Sequence, residues 1–148
     1  MPDKPRHPAL HIVAYMDSLP SKKILVDNRS VINVISSIVL ERLKVLIRIL
    51  NASNLTIMAF NNTLATTMGI IILLVKVGVR EITSTYHVVE GDMHYNLLLD
   101  QPLIEYMESI PSILHICLKY LHNGMVYYII GNHNPFNHYN FTFLPKSP

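Results

Sequence analysis

In the stretch KKILVDNRSVINVIS, residues 22–36, one carboxylate closes a short apolar run, Ile24-Leu25-Val26. Asp27 is followed by Asn28, Arg29 and Ser30, and then by a second apolar segment. A buried strand that delivers one Asp into a tight turn is what a positioned catalytic acid needs, since the strand fixes the carboxylate and the turn presents it. The commoner use of Asp at a strand end is as a turn former. Arg29 also stands where such a turn usually takes Gly, the residue that lets backbone bend and approach closely. Other chemistry finds less support. Of the eight histidines, His115 and His122 flank one predicted hairpin strand, while His133 and His138 lie near the C-terminus. No Cys/His pair has zinc spacing, so no metal site is expected. Cys117 sits among apolar residues and reads as a small core residue. There is no phosphate-cradling glycine loop and no Gly-x-Ser-x-Gly elbow, and no cofactor is expected.

The elements that must position Asp27 are mostly strands. ALHIVAYM and KKILVD read as strands, the second apolar enough to be buried on both faces. From Val31 the spacing of Ile32, Ile35, Val39 and Leu43 predicts a helix of about three turns. NLTIMAF is a further strand with a turn signal, NNT, at its end. LATTMGIIILLVKVGV predicts one or two extended segments bent at Gly69, with a tight turn near Gly78-Val79-Arg80. EITSTYHVV alternates as a half-buried strand does. NLLLDQPL is a short apolar run closed by a polar turn and proline. HICLKYLHNGMVYYII is the strongest hairpin signal, with Asn123-Gly124 at its turn.

Bulk composition fits that picture. The 148 residues are half hydrophobic and 15% charged, which predicts one folded domain. A net charge of +2 with scattered Lys and Arg, no Trp and dispersed tyrosines gives no reason to expect nucleic acid. One cysteine precludes an internal disulfide and fits a reducing compartment. The longest apolar run, Ile70–Val75, is far short of the roughly 20 residues a membrane helix needs. MPDKPRHP lacks the apolar core of a signal peptide, so a cytoplasmic location is expected. The expected division is a loose leader, 1–8, a domain over 9–131, and an irregular tail, 132–148.

The order of these pieces resembles the retropepsin family, the aspartic protease domains of retroviral and retrotransposon polyproteins, and most of all the gypsy-class elements of plants. ILVDNRS stands for the apolar-apolar-Asp-x-Gly-Ser motif, and TIMAFNNTLATTMGIIILLVKVG for the flap and following strand. YHVVEGDMHYNLLLDQPLI stands for the Tyr-Asn-Leu-Leu-Leu-Gly-Arg-Pro-Trp segment, and IPSILHICLKY for a Val-Pro-Ser-x-Leu-His stretch. The resemblance implies a mostly-β acid-protease half-barrel with one short helix after the catalytic-type turn. It implies Asp27 as the catalytic residue, with Asn28, Arg29 and Ser30 as its turn. Phe60, Asn61, Asn62 and Thr63 would belong to the flap, and Leu99, Asp100 and Gln101 would support the turn. Each family member supplies one Asp, so two chains must meet to share one proton between two carboxylates around a water. The implied partners are a weak homodimer and, as ancestral substrate, a peptide or polyprotein segment.

The departures point to catalytic decay. Arg29 replaces the motif's Gly, which puts bulk at the turn and a guanidinium beside Asp27; a cation there favours both carboxylates ionised. Asp100-Gln101 replaces a Gly-Arg pair in which Gly packs near the turn and Arg braces it. Asp100 is therefore expected to add charge near the active centre. Two alternatives remain open. One is a non-catalytic dimerisation or peptide-binding module on the same fold; the other is an unrelated small β-domain.

Overall fold

A computed structural model describes residues 9–44, 56–58, 64–91 and 93–132. The expected leader over 1–8, the flap residues Phe60–Thr63 and the tail beyond residue 132 lie outside the described residues.

The chain opens with β1 (Leu10–Met16) and β2 (Leu19–Val26), an antiparallel pair joined at Asp17-Ser18, where both residues take positive φ. Such two-residue turns match the twist of the strands they join. β2 begins earlier than the sequence reading had it and includes Pro20, paired with Tyr15. Proline is tolerated there because β7 covers the other side of β2 only from Ile24 onward.

β3 (Asn33–Ser36) and α1 (Ser37–Arg42) follow. The expected helix from Val31 is thus shorter, with a strand between it and the turn. Asn33, Val34, Ile35 and Ser36 are all buried, wedged between β6 and β7, so pairing on both edges overrides a spacing that also suited a helix. Ser36 then switches the chain into α1 as its cap, its Oγ accepting from the Ile38 N–H at 3.1 Å.

β4 (Thr56–Met58) pairs with the start of β5 (Leu64–Val77), and β5 runs antiparallel to β6 (Arg80–Val89). β5 is one continuous strand with a register shift between Thr67 and Gly69, where a bend was expected. β7 (Leu97–Leu99) leads directly into α2 (Gln101–Tyr106). This second helix was not anticipated, although Asp100 as cap and Pro102 in the first turn are ordinary start signals. β8 (Ser109–Ser112), β9 (Cys117–His122) and β10 (Met125–Ile130) complete the described chain as a separate small sheet. Its β9–β10 turn is Asn123-Gly124, both at positive φ, as the hairpin signal predicts.

The main sheet runs β1-β2-β7-β3-β6-β5-β4 and closes through a β1–β5 pairing, which makes a six-stranded barrel with β4 outside the ring. Strand alternation sorts the apolar residues into two layers. Ile24 and Val26, Ile35, Tyr86 and Val88, Leu97 and Leu99 fill the barrel. Leu25, Val34, Val89 and Leu98 point to the other side of the same strands and pack there with Tyr95.

The small sheet is fastened to the barrel at the β5–β6 turn. Gly78 sits there at φ +61, and the Val79 N–H donates to the Tyr120 hydroxyl at 2.9 Å. A Cβ at residue 78 would collide with that hydroxyl. Gly78→Ala should therefore cost roughly 1–3 kcal/mol from backbone strain, with further loss from the collision. Urea unfolding should show it as more damaging than Tyr120→Phe, which removes only a hydrogen bond worth about 0.5–1.5 kcal/mol.

Candidate active site

Asp27 leaves the end of β2 half-buried, and its turn is tied down by backbone. The Asp27 N–H donates to the Leu99 carbonyl at 3.0 Å, extending the parallel β2–β7 ladder by one residue. The Asp27 carbonyl accepts from the Ser30 N–H at 3.2 Å, and its Oδ1 accepts from the Arg29 N–H at 3.0 Å. This is an Asx-type turn, with the side chain doing what backbone does elsewhere. From the other direction, the Gln101 N–H donates to the Ser30 carbonyl at 2.9 Å. Of the expected support residues, Leu99 and Gln101 are bonded to the turn through their backbone, with Asp100 between them in the chain, and the two apolar runs are neighbours. Leu25, Val26, Leu97, Leu98 and Leu99 are all buried.

The three departures fare differently from expectation. Arg29 is exposed, and its φ is not in the left-handed region, so this backbone does not demand glycine. Strain in the turn is therefore no argument against the site. What remains is bulk and positive charge at the exposed crest of the turn, beside exposed Asn28. Gln101 braces the turn through its backbone alone, because its side chain turns away to Glu105 at 2.6 Å. Asp100 is buried and has a structural task. One of its oxygens accepts from the Leu103 N–H at 2.8 Å, capping α2, while its own N–H donates to Asn33 Oδ1 at 2.8 Å.

Two residues of this site were missed in the sequence. Asn33 is buried and joins three segments, since its Nδ2 also donates to the Thr85 carbonyl at 3.1 Å. A lone amide inside VINVIS was the available signal. Tyr95 is buried in the apolar layer on the Leu25 side, and its hydroxyl has no hydrogen-bond partner among the described residues. Burial and the nearby Asp27 carboxylate push its phenol up to about 12, so it stays protonated. The site thus presents one carboxylate, one buried phenol and an apolar wall. Among the described residues no group of three or more His, Cys, Asp or Glu is placed to hold a metal ion.

Burial raises the Asp100 carboxyl pKa, while the Leu103 N–H, its own N–H and His87 pull it down by less. An acid whose pKa is higher folded than unfolded binds its proton more tightly when folded. Its contribution to stability is then greatest at low pH and is lost as pH rises from 3.8 through the raised folded value. Asp100→Asn keeps a capping oxygen and removes the titration. In denaturant unfolding, the variant should gain on the parent chain as pH rises from about 4 to about 7; an unchanged difference would contradict the buried charge.

Comparisons with known proteins agree with this geometry at the level of fold. No protein-family model matches the chain, and no curated protein matches it in sequence. Solved structures do match. The retroviral protease-like domain of Ddi1 from Leishmania major superposes with a TM-score of 0.65 at 15% identity, covering 87% of this chain and 98% of that one. A retropepsin-like aspartic protease from Rickettsia conorii gives 0.55 at 18% identity, covering 85% of each. This chain has the retropepsin-like fold.

Proposed function

We propose that the chain is a retropepsin-type aspartic endopeptidase domain, derived from a retrotransposon polyprotein, with Asp27 as its catalytic residue and with activity largely lost. The observation that carries the reading is the Asp27 turn itself. One carboxylate sits at the end of a buried strand, its backbone bonded to Leu99, with Gln101 bonded back across to Ser30. Catalysis of this kind needs two such carboxylates sharing a proton, so a second copy must supply the other. The dimer is weak, and the substrate is a peptide segment.

Arg29 is the fault. Brought together by symmetry, two turns would place two guanidinium groups beside the dyad, favouring both carboxylates ionised and removing the shared proton. Their bulk would also stand where substrate backbone must approach. A non-catalytic peptide-binding or dimerisation module on this fold is the alternative, favoured by the intact apolar layer around Leu25 and Leu98.

Because Arg29 has ordinary backbone, Arg29→Gly should bring no stability. It should be neutral or cost about 0.5–1 kcal/mol through the added freedom of the unfolded chain. Cleavage should be tested on a peptide library at acidic pH with a pepstatin-type inhibitor control. The unmodified chain should be nearly inactive, and Arg29→Gly with Asp100→Gly and Gln101→Arg should regain inhibitor-sensitive cleavage. Robust cleavage by the unmodified chain that vanishes in Asp27→Asn would overturn the decay. A specific peptide bound without cleavage would favour the module. Sedimentation at micromolar concentration should find mostly monomer.

A further inference from the structure

A groove of about 570 Å³ lies between the first half of β6 and α2, with Ile32 and Asn33 at one end. Its long side is a strand edge. β3 pairs with β6 only from Tyr86 onward, so among the described residues nothing pairs with residues 80–85 on that side. In an antiparallel ladder, alternate residues turn their backbone groups away from the partner strand. Val77 and Arg80 close the two-residue β5–β6 turn, so the outward set on β6 is Glu81, Thr83 and Thr85. The Thr85 carbonyl is taken by Asn33. Thr83 stands on the open stretch, within the groove.

The opposite wall is α2, with Pro102 and Leu103 apolar toward the space. Asp100, at the start of that helix, also lines the groove and is only 6% exposed. Among the described residues it is the one acidic side chain in the lining; the other titratable groups there are Tyr106 and His87, whose buried Nδ1 has no partner among those residues. Arg80, beside Tyr106, is committed to the Met107 and Leu121 carbonyls at 3.1 Å each, so it does not neutralise Asp100. An open strand edge suits an extended chain, an apolar wall suits an aliphatic stem, and a buried carboxylate suits a cation. A lysine or arginine in an extended peptide supplies all three.

We propose that this groove, which adjoins the Asp27 turn through Asn33 and Asp100, is a peptide-binding site in which an extended segment pairs with β6 at Thr83 and sets a basic side chain against Asp100. The site needs no catalysis, so its test is independent of protease activity. The isotope-labelled full chain is titrated by NMR with acetyl-Thr-Val-Lys-Val-Thr-amide and with the same peptide carrying norleucine for lysine. The lysine peptide should give saturable shifts at the Thr83, Thr85 and Leu103 amides, and the norleucine peptide should bind at least tenfold more weakly. Asp100→Asn, which keeps the helix cap, should erase that preference. Thr83→Pro, which removes an outward-facing N–H and spares the β5 ladder, should weaken both peptides. Equal affinity for the two peptides, or unchanged binding by Asp100→Asn, would overturn the proposal. So would n-butylammonium matching the lysine peptide, which would leave a simple amine site. Shifts that follow protein concentration without peptide would overturn it in favour of a second copy of the chain.

Discussion

The parallel pairing of β2 with β7 is the constraint on which the rest depends. Ile24, Leu25 and Val26 lie beside Leu97, Leu98 and Leu99, although some seventy residues separate them in the chain. Each of these side chains removes apolar surface worth roughly 1.5–3 kcal/mol from water, and alternation sends them to two different layers. The pair is therefore held from both faces at once. A one-residue slip would exchange every residue between layers, so the register is strongly specified. Because the register is set, the Asp27 N–H meets the Leu99 carbonyl, which fixes the backbone that carries the carboxylate.

That rigidity explains how the turn carries Arg29 and Asp100 without losing its shape. The turn is built from hydrogen bonds made by the backbone of Asp27, Arg29, Ser30, Leu99 and Gln101 and by one oxygen of Asp27. None of them requires a particular side chain at residue 29 or 101. At residue 100 the carboxylate becomes the cap of α2, while Asn33 fastens the same backbone to β6. The shape of the turn is thus independent of which side chain stands at residue 29 or 101. Oδ1 of Asp27 is the one side-chain atom among those bonds.

Asp100 shows the tension within that arrangement. A charge buried to this degree costs free energy unless it is well bonded, and the backbone N–H groups of Leu103 and of Asp100 itself, with the nearby His87, offset only part of the burial. The carboxylate is useful as a cap and expensive as a buried charge. It also gives the groove beside α2 an acidic end.

The alternation of EITSTYHVV, the Asn123-Gly124 hairpin and the leucine run at 97–99 were legible because each is a local pattern with one good structural answer. Asp27 was legible for the same reason, as one carboxylate closing an apolar run. VINVIS was not, since a six-residue segment with four apolar positions satisfies helix and strand spacing alike until β6 and β7 claim both edges of its strand. α2 was hidden because a single six-residue helix carries too little periodicity to stand out, and only its burial against β8 and the barrel makes it stable. The backbone conformation at Arg29 was not legible, because the bonds from Asp27 to Leu99 and from Gln101 to Ser30 hold the turn whatever side chain residue 29 carries. Local patterning determined most of the strands and put one acidic residue, Asp27, at the end of an apolar run. Long-range pairing decided where that acid sits, what holds it, and which polar residues, Asn33 and Tyr95, keep it company.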